Sequence, residues 1–259
     1  MEDFLLSEYG MIVCALAAVS FCAGFLDSIA GGGGLIMLPA LLLAGIPAQT
    51  ALGTSKFAAT FGTTVAAYNF IKNKAVVWRL VLYGIVFSLL GSYVGARSVL
   101  AIDEELVVGI IVGMLPVAMV AAFIPKRKIN HVTLHWSKFM LYLAVPIVCF
   151  VLGFYDGFFG PGAGSLLILA FHLFFGVSLT AASGSAKIFN LTSNLGALVT
   201  FLVAGKCLMA LAIPMAVTNI LGNHVGSMLA IKKGDVVVRY VLIVSISILT
   251  ISLVYKFFM

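Results

Sequence analysis

Charge is what this sequence has least of. Of its 259 residues only 9% are Asp, Glu, Lys or Arg, against about 25% in an ordinary soluble domain. That shortage excludes a water-soluble fold, because too few polar side chains remain to cover an outer surface. Paired cysteine spacing is missing too. The four cysteines, Cys14, Cys22, Cys149 and Cys207, lie in or beside apolar segments. This excludes a disulfide framework and a thiolate metal site, and leaves them as small packing residues. No nucleotide-binding or metal-ligand spacing is present, so no cofactor is expected. The amino terminus, Met1-Glu2-Asp3, lacks the basic start of a signal peptide. Val19-Ser20-Phe21-Cys22 loosely matches a lipoprotein cleavage site, but the bulky Phe21 opposes it. The first apolar stretch is therefore expected to remain in the mature protein.

What is present is mostly hydrocarbon. Hydrophobic residues make up 63% of the chain, and the mean hydropathy is +1.19. The bilayer must act as solvent, and at roughly 20 apolar residues per crossing there is room for about eight segments. The predicted fold class is an all-α polytopic membrane protein. The formal net charge is +6. Its bases gather at Lys72, Lys74 and Arg79, at Lys126, Arg127 and Lys128, and at Lys232, Lys233 and Arg239, between apolar runs. That is the pattern of cytoplasmic loops, so a lipid bilayer is the expected partner and nucleic acid is not.

An internal duplication organises the chain. Residues 24–39 read GFLDSIAGGGGLIMLP and residues 153–168 read GFYDGFFGPGAGSLLI, with Gly24, Phe25 and Asp27 on Gly153, Phe154 and Asp156 at an offset of 129. Beyond the glycines the offset is 131: Gly53-Thr54-Ser55-Lys56 falls on Gly184-Ser185-Ala186-Lys187, and Gly91 and Gly95 fall on Gly222 and Gly226. The division expected is a first membrane repeat over 1–124, a basic cytoplasmic linker over 125–138 and a second membrane repeat over 139–259. Each repeat has one long apolar segment broken by glycine (11–44 and 139–175) and three helix-length runs (50–71, 76–99 and 104–124; 180–204, 208–231 and 236–257). Small residues four apart, as in Gly91 and Gly95, allow close helix packing. The basic residues shift to opposite loops in the two halves. If each broken segment is re-entrant, the repeats are inverted, and more loop bases fall on one side than in a parallel arrangement. This predicts an inner-membrane protein with its N-terminus outside and the 125–138 linker in the cytoplasm.

The glycine breaks are where chemistry is expected. Gly31–Gly34 and Gly160-Pro161-Gly162-Ala163-Gly164 cannot continue a helix, and freed backbone groups at membrane depth belong against protein or a watery cavity. Paired broken helices at equivalent points of two repeats point to a transporter site, which makes the backbone at Gly32, Gly33, Gly162 and Gly164 candidate substrate contacts. Asp27 and Asp156 precede the breaks among apolar residues. An intramembrane carboxylate is costly and a functional candidate, here for proton or cation coupling, with capping of freed amides as the plainer role. Thr54, Ser55 and Lys56, with Ser185 and Lys187, read as an anion cradle near two helix starts, where unpaired amides and the dipole add positive potential. The plainer alternative is that each lysine snorkels to the interface. Asn190 and Asn194 share a helix face with Lys187 and complete the substrate-binding set. Thr60, Thr63, Thr64, Asn219, Asn223 and His224 are further polar residues in apolar helices, and packing explains them as readily as permeation.

The segments GFLDSIAGGGGLIMLPALLLAGIPAQTALGTSK and GFYDGFFGPGAGSLLILAFHLFFGVSLTAASGSAK resemble those of the sulfite exporter TauE/SafE family, and the resemblance runs through nearly the whole chain. It implies a bacterial or archaeal inner-membrane transporter of small sulfur-containing anions such as sulfite or organosulfonates. The residues themselves argue only for an anion. A secondary transporter working by alternating access, with the broken segments moving against the rest and a proton as one possible coupling ion, is the expectation, and a homodimer the expected assembly. A passive anion channel would need the same cradle without a coupling residue. An intramembrane protease would need two close carboxylates sharing a proton, whereas the Asp pair here follows from duplication and no Gly-x-Gly-Asp accompanies it. An enzyme is therefore not expected.

Overall fold

The computed structural model of the chain describes residues 2–111, 113, 136–234, 236, 237 and 240. The runs predicted over 104–124 and 236–257, and the 125–138 linker, lie largely outside the described residues. Among the described residues all regular structure is helical. The first half contains α1 (Glu2–Ala30), α2 (Gly34–Leu43), α3 (Ala48–Lys72) and α4 (Trp78–Leu100). In the second half a π-turn, Met140–Ala144, leads into α5 (Val145–Phe158), followed by α6 (Ala163–Phe175), α7 (Leu179–Val203) and α8 (Met209–Lys233). Among these residues, four spans are long and apolar enough to cross a bilayer: Gly10–Ala30, Trp78–Leu100, Met140–Phe158 and Leu179–Val203.

Each glycine run ends a long helix and starts a short one. At 1.5 Å per residue α2 is about 15 Å long and α6 about 20 Å, short of the roughly 30 Å hydrocarbon core. Gly31 (φ 76°) breaks the first pair, and Gly160 (φ 90°) and Gly162 (φ 81°) the second, in left-handed conformations that a Cβ would strain. The carbonyls freed there find donors. Ser165 Oγ donates to Ala30 O (2.6 Å), Ser183 Oγ to Ile29 O (3.0 Å) and Tyr155 OH to Pro161 O (2.8 Å). Non-helical backbone is thus housed inside protein, as a bilayer requires.

The polarity of the molecule is inside out. Leu82, Val86 and Leu90 on α4, and Ile213, Val217, Leu221 and Val225 on α8, stand exposed at four-residue spacing, while Ser, Thr, Asn, Lys and Asp side chains are buried. A helix surface of that kind is solvated by lipid chains.

The two halves interlock. α1 packs along α8, and α4 packs along α5. Glycine lets the backbones touch. A Cβ on Gly91 or Gly95 would collide with the carbonyl of Phe150 or Phe154, and one on Gly222 or Gly226 with that of Phe21 or Phe25. The second set is the first set shifted by the sequence offsets of 131 and 129. The same holds for Gly53 against Lys206 O and Gly184 against Ala75 O. Gly91→Ala is therefore expected to destabilise the protein by about 1–3 kcal/mol, the usual cost of overpacking. Gly10→Ala, where a Cβ meets nothing within 4 Å, should leave the melting temperature unchanged or slightly raised. Thermal unfolding of the two variants in detergent tests the contrast.

Candidate functional site

The lysines lie inside their helices. α3 starts at Ala48 after Pro47, and α7 at Leu179, where Ser178 caps by accepting from Ala181 N. Lys56 and Lys187 are each more than two turns further on, so the backbone amides around them are spent in helical hydrogen bonds. The expected cradle of free amides near a helix start is corrected on this point. Pro47 and Ser178 mark the starts, and Gly53 and Gly184 serve close packing. Thr54 and Ser185 are likewise engaged elsewhere. Thr54 Oγ1 accepts from Leu208 N (3.0 Å) and Ser185 Oγ from Val77 N (2.9 Å), each hydroxyl holding the start of a helix, α8 or α4.

Both lysines nevertheless point to the two breaks, and they do so crosswise. Lys56 Nζ on α3 lies 2.7 Å from Asp156 Oδ1 on α5. Lys187 Nζ on α7 lies 2.8 Å from Asp27 Oδ2 on α1. Each lysine thus neutralises the carboxylate of the other half. Lys187 is fully buried and Lys56 nearly so; neither snorkels. The aspartates do not cap the breaks either: among the described residues their side-chain partners are the lysines and, for Asp156, Ser193. Buried charges at this depth are tolerated only as pairs, because a lone ion would carry a desolvation cost of several kcal/mol.

The breaks abut. A Cβ on Gly31 would run into the Gly164 backbone, and one on Gly34 would press on Pro161 Cα at 3.2 Å. Beside this crossing lies a cavity of about 50 Å³. Asp27, Lys56 and Asp156 open onto it, with Ser55, Asn190, Asn194 and Asn219 as further polar walls. Gly31, Gly33, Gly34, Gly160 and Gly164 supply backbone, and Met37, Leu38 and Phe159 the apolar side. A single water needs about 10–15 Å³, so the space holds more than one water-sized group.

Of the residues singled out in sequence, Gly33, Ser55, Lys56, Gly164, Asn190, Asn194, Asp27 and Asp156 meet at this cavity. Gly32, Thr54, Gly162, Ser185 and Lys187 do not line it, although Lys187 stands directly behind Asp27. Ser193 was missed. It donates to Asp156 Oδ2, and its repeat equivalent, Gly62, carries no side chain to hint at that role. Met37, Leu38 and Phe159 were also missed, since nothing distinguishes them in sequence from any core residue.

The polar equipment of the two pairs differs. Lys56 Nζ also donates to Asn194 Oδ1 at 3.0 Å. The α7 residues Asn190, Ser193 and Asn194 correspond, at an offset of 131, to Ala59, Gly62 and Thr63 on α3. Among the described residues Asn190 Oδ1 is buried with no hydrogen-bond partner, an arrangement that ordinarily costs about 1–3 kcal/mol and calls for a ligand or water.

The family described as sulfite exporter TauE/SafE matches residues 16–253. The chain is 36% identical over 249 residues to a probable membrane transporter protein of Haemophilus influenzae, covering 94% of this chain and 95% of that one. It is 35% identical over 257 residues to the probable membrane transporter protein YfcA of Escherichia coli strain K12, covering 98% and 95%. A probable membrane transporter protein of Bacillus subtilis, YdhB, is 24% identical over 221 residues, covering 84% and 88%. No solved structure matches the chain.

Proposed function

The chain belongs to the sulfite exporter TauE/SafE family of membrane transporters, and from that premise we propose that it is a secondary transporter of a small anion, bound in the cavity between the two glycine breaks. One observation carries this reading. Two buried Lys–Asp pairs, crossed between the halves, meet at a small polar cavity beside broken helices. An ammonium has three N–H donors. Lys56 gives one to Asp156 and one to Asn194, which leaves a third for an anion in the cavity. The three oxygens of sulfite or of a sulfonate head suit a small polar cavity of this kind, and the family's description favours that chemistry over a carboxylate.

Transport by alternating access follows from where the charges sit. Each aspartate rides on a broken segment, α1–α2 or α5–α6, and each lysine on a helix of the other half. Moving the broken segments against α3 and α7 must stretch both pairs, so occupancy of the site and conformation are linked. The paired contacts at constant offset agree with two equivalent halves, which we read as inverted repeats in an inner membrane, with the 125–138 linker in the cytoplasm. A passive channel would not require carboxylates tied to both lysines. A protease dyad is disfavoured because each carboxylate is held by its own lysine.

Detergent-purified protein should show a rise in melting temperature with sulfite or a small organosulfonate that taurine, a zwitterion, does not reproduce; a ligand at a hundred times its Kd adds about 2.7 kcal/mol of apparent stability. A panel of sulfite, sulfate, thiosulfate, sulfoacetate and carboxylate analogues reads the class directly. No shift with any anion, and a shift with a cation or neutral solute, would overturn the assignment.

A further inference from the structure

Resting on that reading, we propose that the two ion pairs have different tasks: Asp27 takes up a proton that accompanies the anion, while Asp156 is a fixed counter-ion that positions Lys56. The first step is charge balance. The site holds two ammoniums and two carboxylates, a net charge of zero. A monovalent anion, such as hydrogen sulfite or a sulfonate, would alone leave a buried excess of one negative charge, and a proton alone one positive charge. Either is costly where water is excluded. The two together keep the site neutral, so each favours the other's binding by the same coupling free energy.

The second step is which carboxylate accepts the proton. Asp156 receives Lys56 at Oδ1 and Ser193 at Oδ2, so both of its oxygens are bonded, and Lys56 is steadied in turn by Asn194. Neither carboxylate oxygen of Asp156 is left without a partner. Among the described residues Asp27 has Lys187 alone, on one oxygen. Its side chain is 18% exposed, against 7% for Asp156, and it opens onto the cavity. The α3 residues that would match Asn190, Ser193 and Asn194 are Ala59, Gly62 and Thr63, so the Asp27 pair has no equivalent support.

The charged and titratable groups facing Asp27 are Lys187 on α7 and, across the cavity, Lys56 on α3 and Asp156 on α5; α2 and α6 present none of their own to the cavity. On α8, which packs along α1, the cavity meets Asn219, and His224 is engaged with Asn69. Both aspartates line the cavity, and among the described residues Asp27 is the one whose carboxylate keeps a bonding position open. In the proposed step, a proton from the bulk solution, relayed through cavity water, adds to a carboxylate oxygen of Asp27, the Asp27–Lys187 pair is discharged, and the Lys187 ammonium becomes available to balance the incoming anion.

The test needs no transported solute. Infrared difference spectra of purified protein during an acid titration read the C=O stretch of a protonated buried carboxyl. The wild type should gain one such band, Asp27→Asn should lose it, and Asp156→Asn should keep it. Asp27→Glu should retain a band at a displaced frequency, which keeps the test open if Asp27→Asn does not fold. A band that survives Asp27→Asn, one that vanishes in Asp156→Asn, or none in the wild type would overturn the assignment. An inert anion panel with the Asp27 band present would instead defeat the anion reading alone.

Discussion

Lys56→Met is expected to abolish anion-dependent stabilisation, weakening the affinity at least about a hundredfold, the equivalent of about 2.7 kcal/mol. Lys56 is the lysine that lines the cavity, and two of its three protons are already held by Asp156 and Asn194. A charge-assisted hydrogen bond to an anion contributes about 1.5–3 kcal/mol, and the Coulomb attraction lost with it adds to that figure where water is excluded. Methionine keeps most of the side-chain volume, so the helix packing around α3 stays filled, although Asp156 loses its counter-ion and the variant should melt below the wild type. Size-exclusion profile and helicity should match the wild type, while the melting shift with sulfite or sulfonate disappears. An unchanged shift would remove Lys56 from the site.

Removing Asp156 should have the largest effect on stability. Asp156→Ala leaves Lys56 as a buried cation with only an amide for company, and breaking a buried pair in this way costs about 3–5 kcal/mol. The double substitution Lys56→Met with Asp156→Leu removes both charges and should recover most of that loss, because an apolar pair of similar volume often matches or exceeds a buried ion pair. Stability and function then separate: the double variant melts near the wild type but binds no anion. A thermal double-mutant cycle measures the coupling. If Asp156→Ala melts like the wild type, the pair carries no stability.

Much of this was legible in the sequence, and the reasons for the rest are physical. Scarce charge and apolar runs announced a helical membrane protein, and the recurring glycine runs placed the breaks where α1 and α5 end. Asp27, Asp156, Lys56 and Lys187 stood out because an ionisable residue in hydrocarbon is expensive and each occurs in both halves. That Lys56 would meet Asp156 and not Asp27 was not legible. The repeat pattern is the same for either pairing, and only the interlocking of α1 with α8 and of α4 with α5 decides which partner comes within reach. Thr54 and Ser185 looked like cradle hydroxyls because they sit beside the lysines in sequence. In a helix, residues two apart point about 160° away from each other, and these two face the starts of α8 and α4. Ser193 was hidden for the opposite reason: duplication drew the eye to shared residues, and it belongs to the equipment that the halves do not share.

The most direct test of an anion carrier is exchange in liposomes containing the purified protein, loaded with unlabelled sulfite or organosulfonate and diluted into trace labelled anion. A carrier predicts transient accumulation of label above its outside concentration, driven by the outward gradient of unlabelled anion and absent with Lys56→Met. Label that only equilibrates, at a rate indifferent to the unlabelled anion, would mark a channel, and label that never enters with any anion of the panel would contradict anion transport itself.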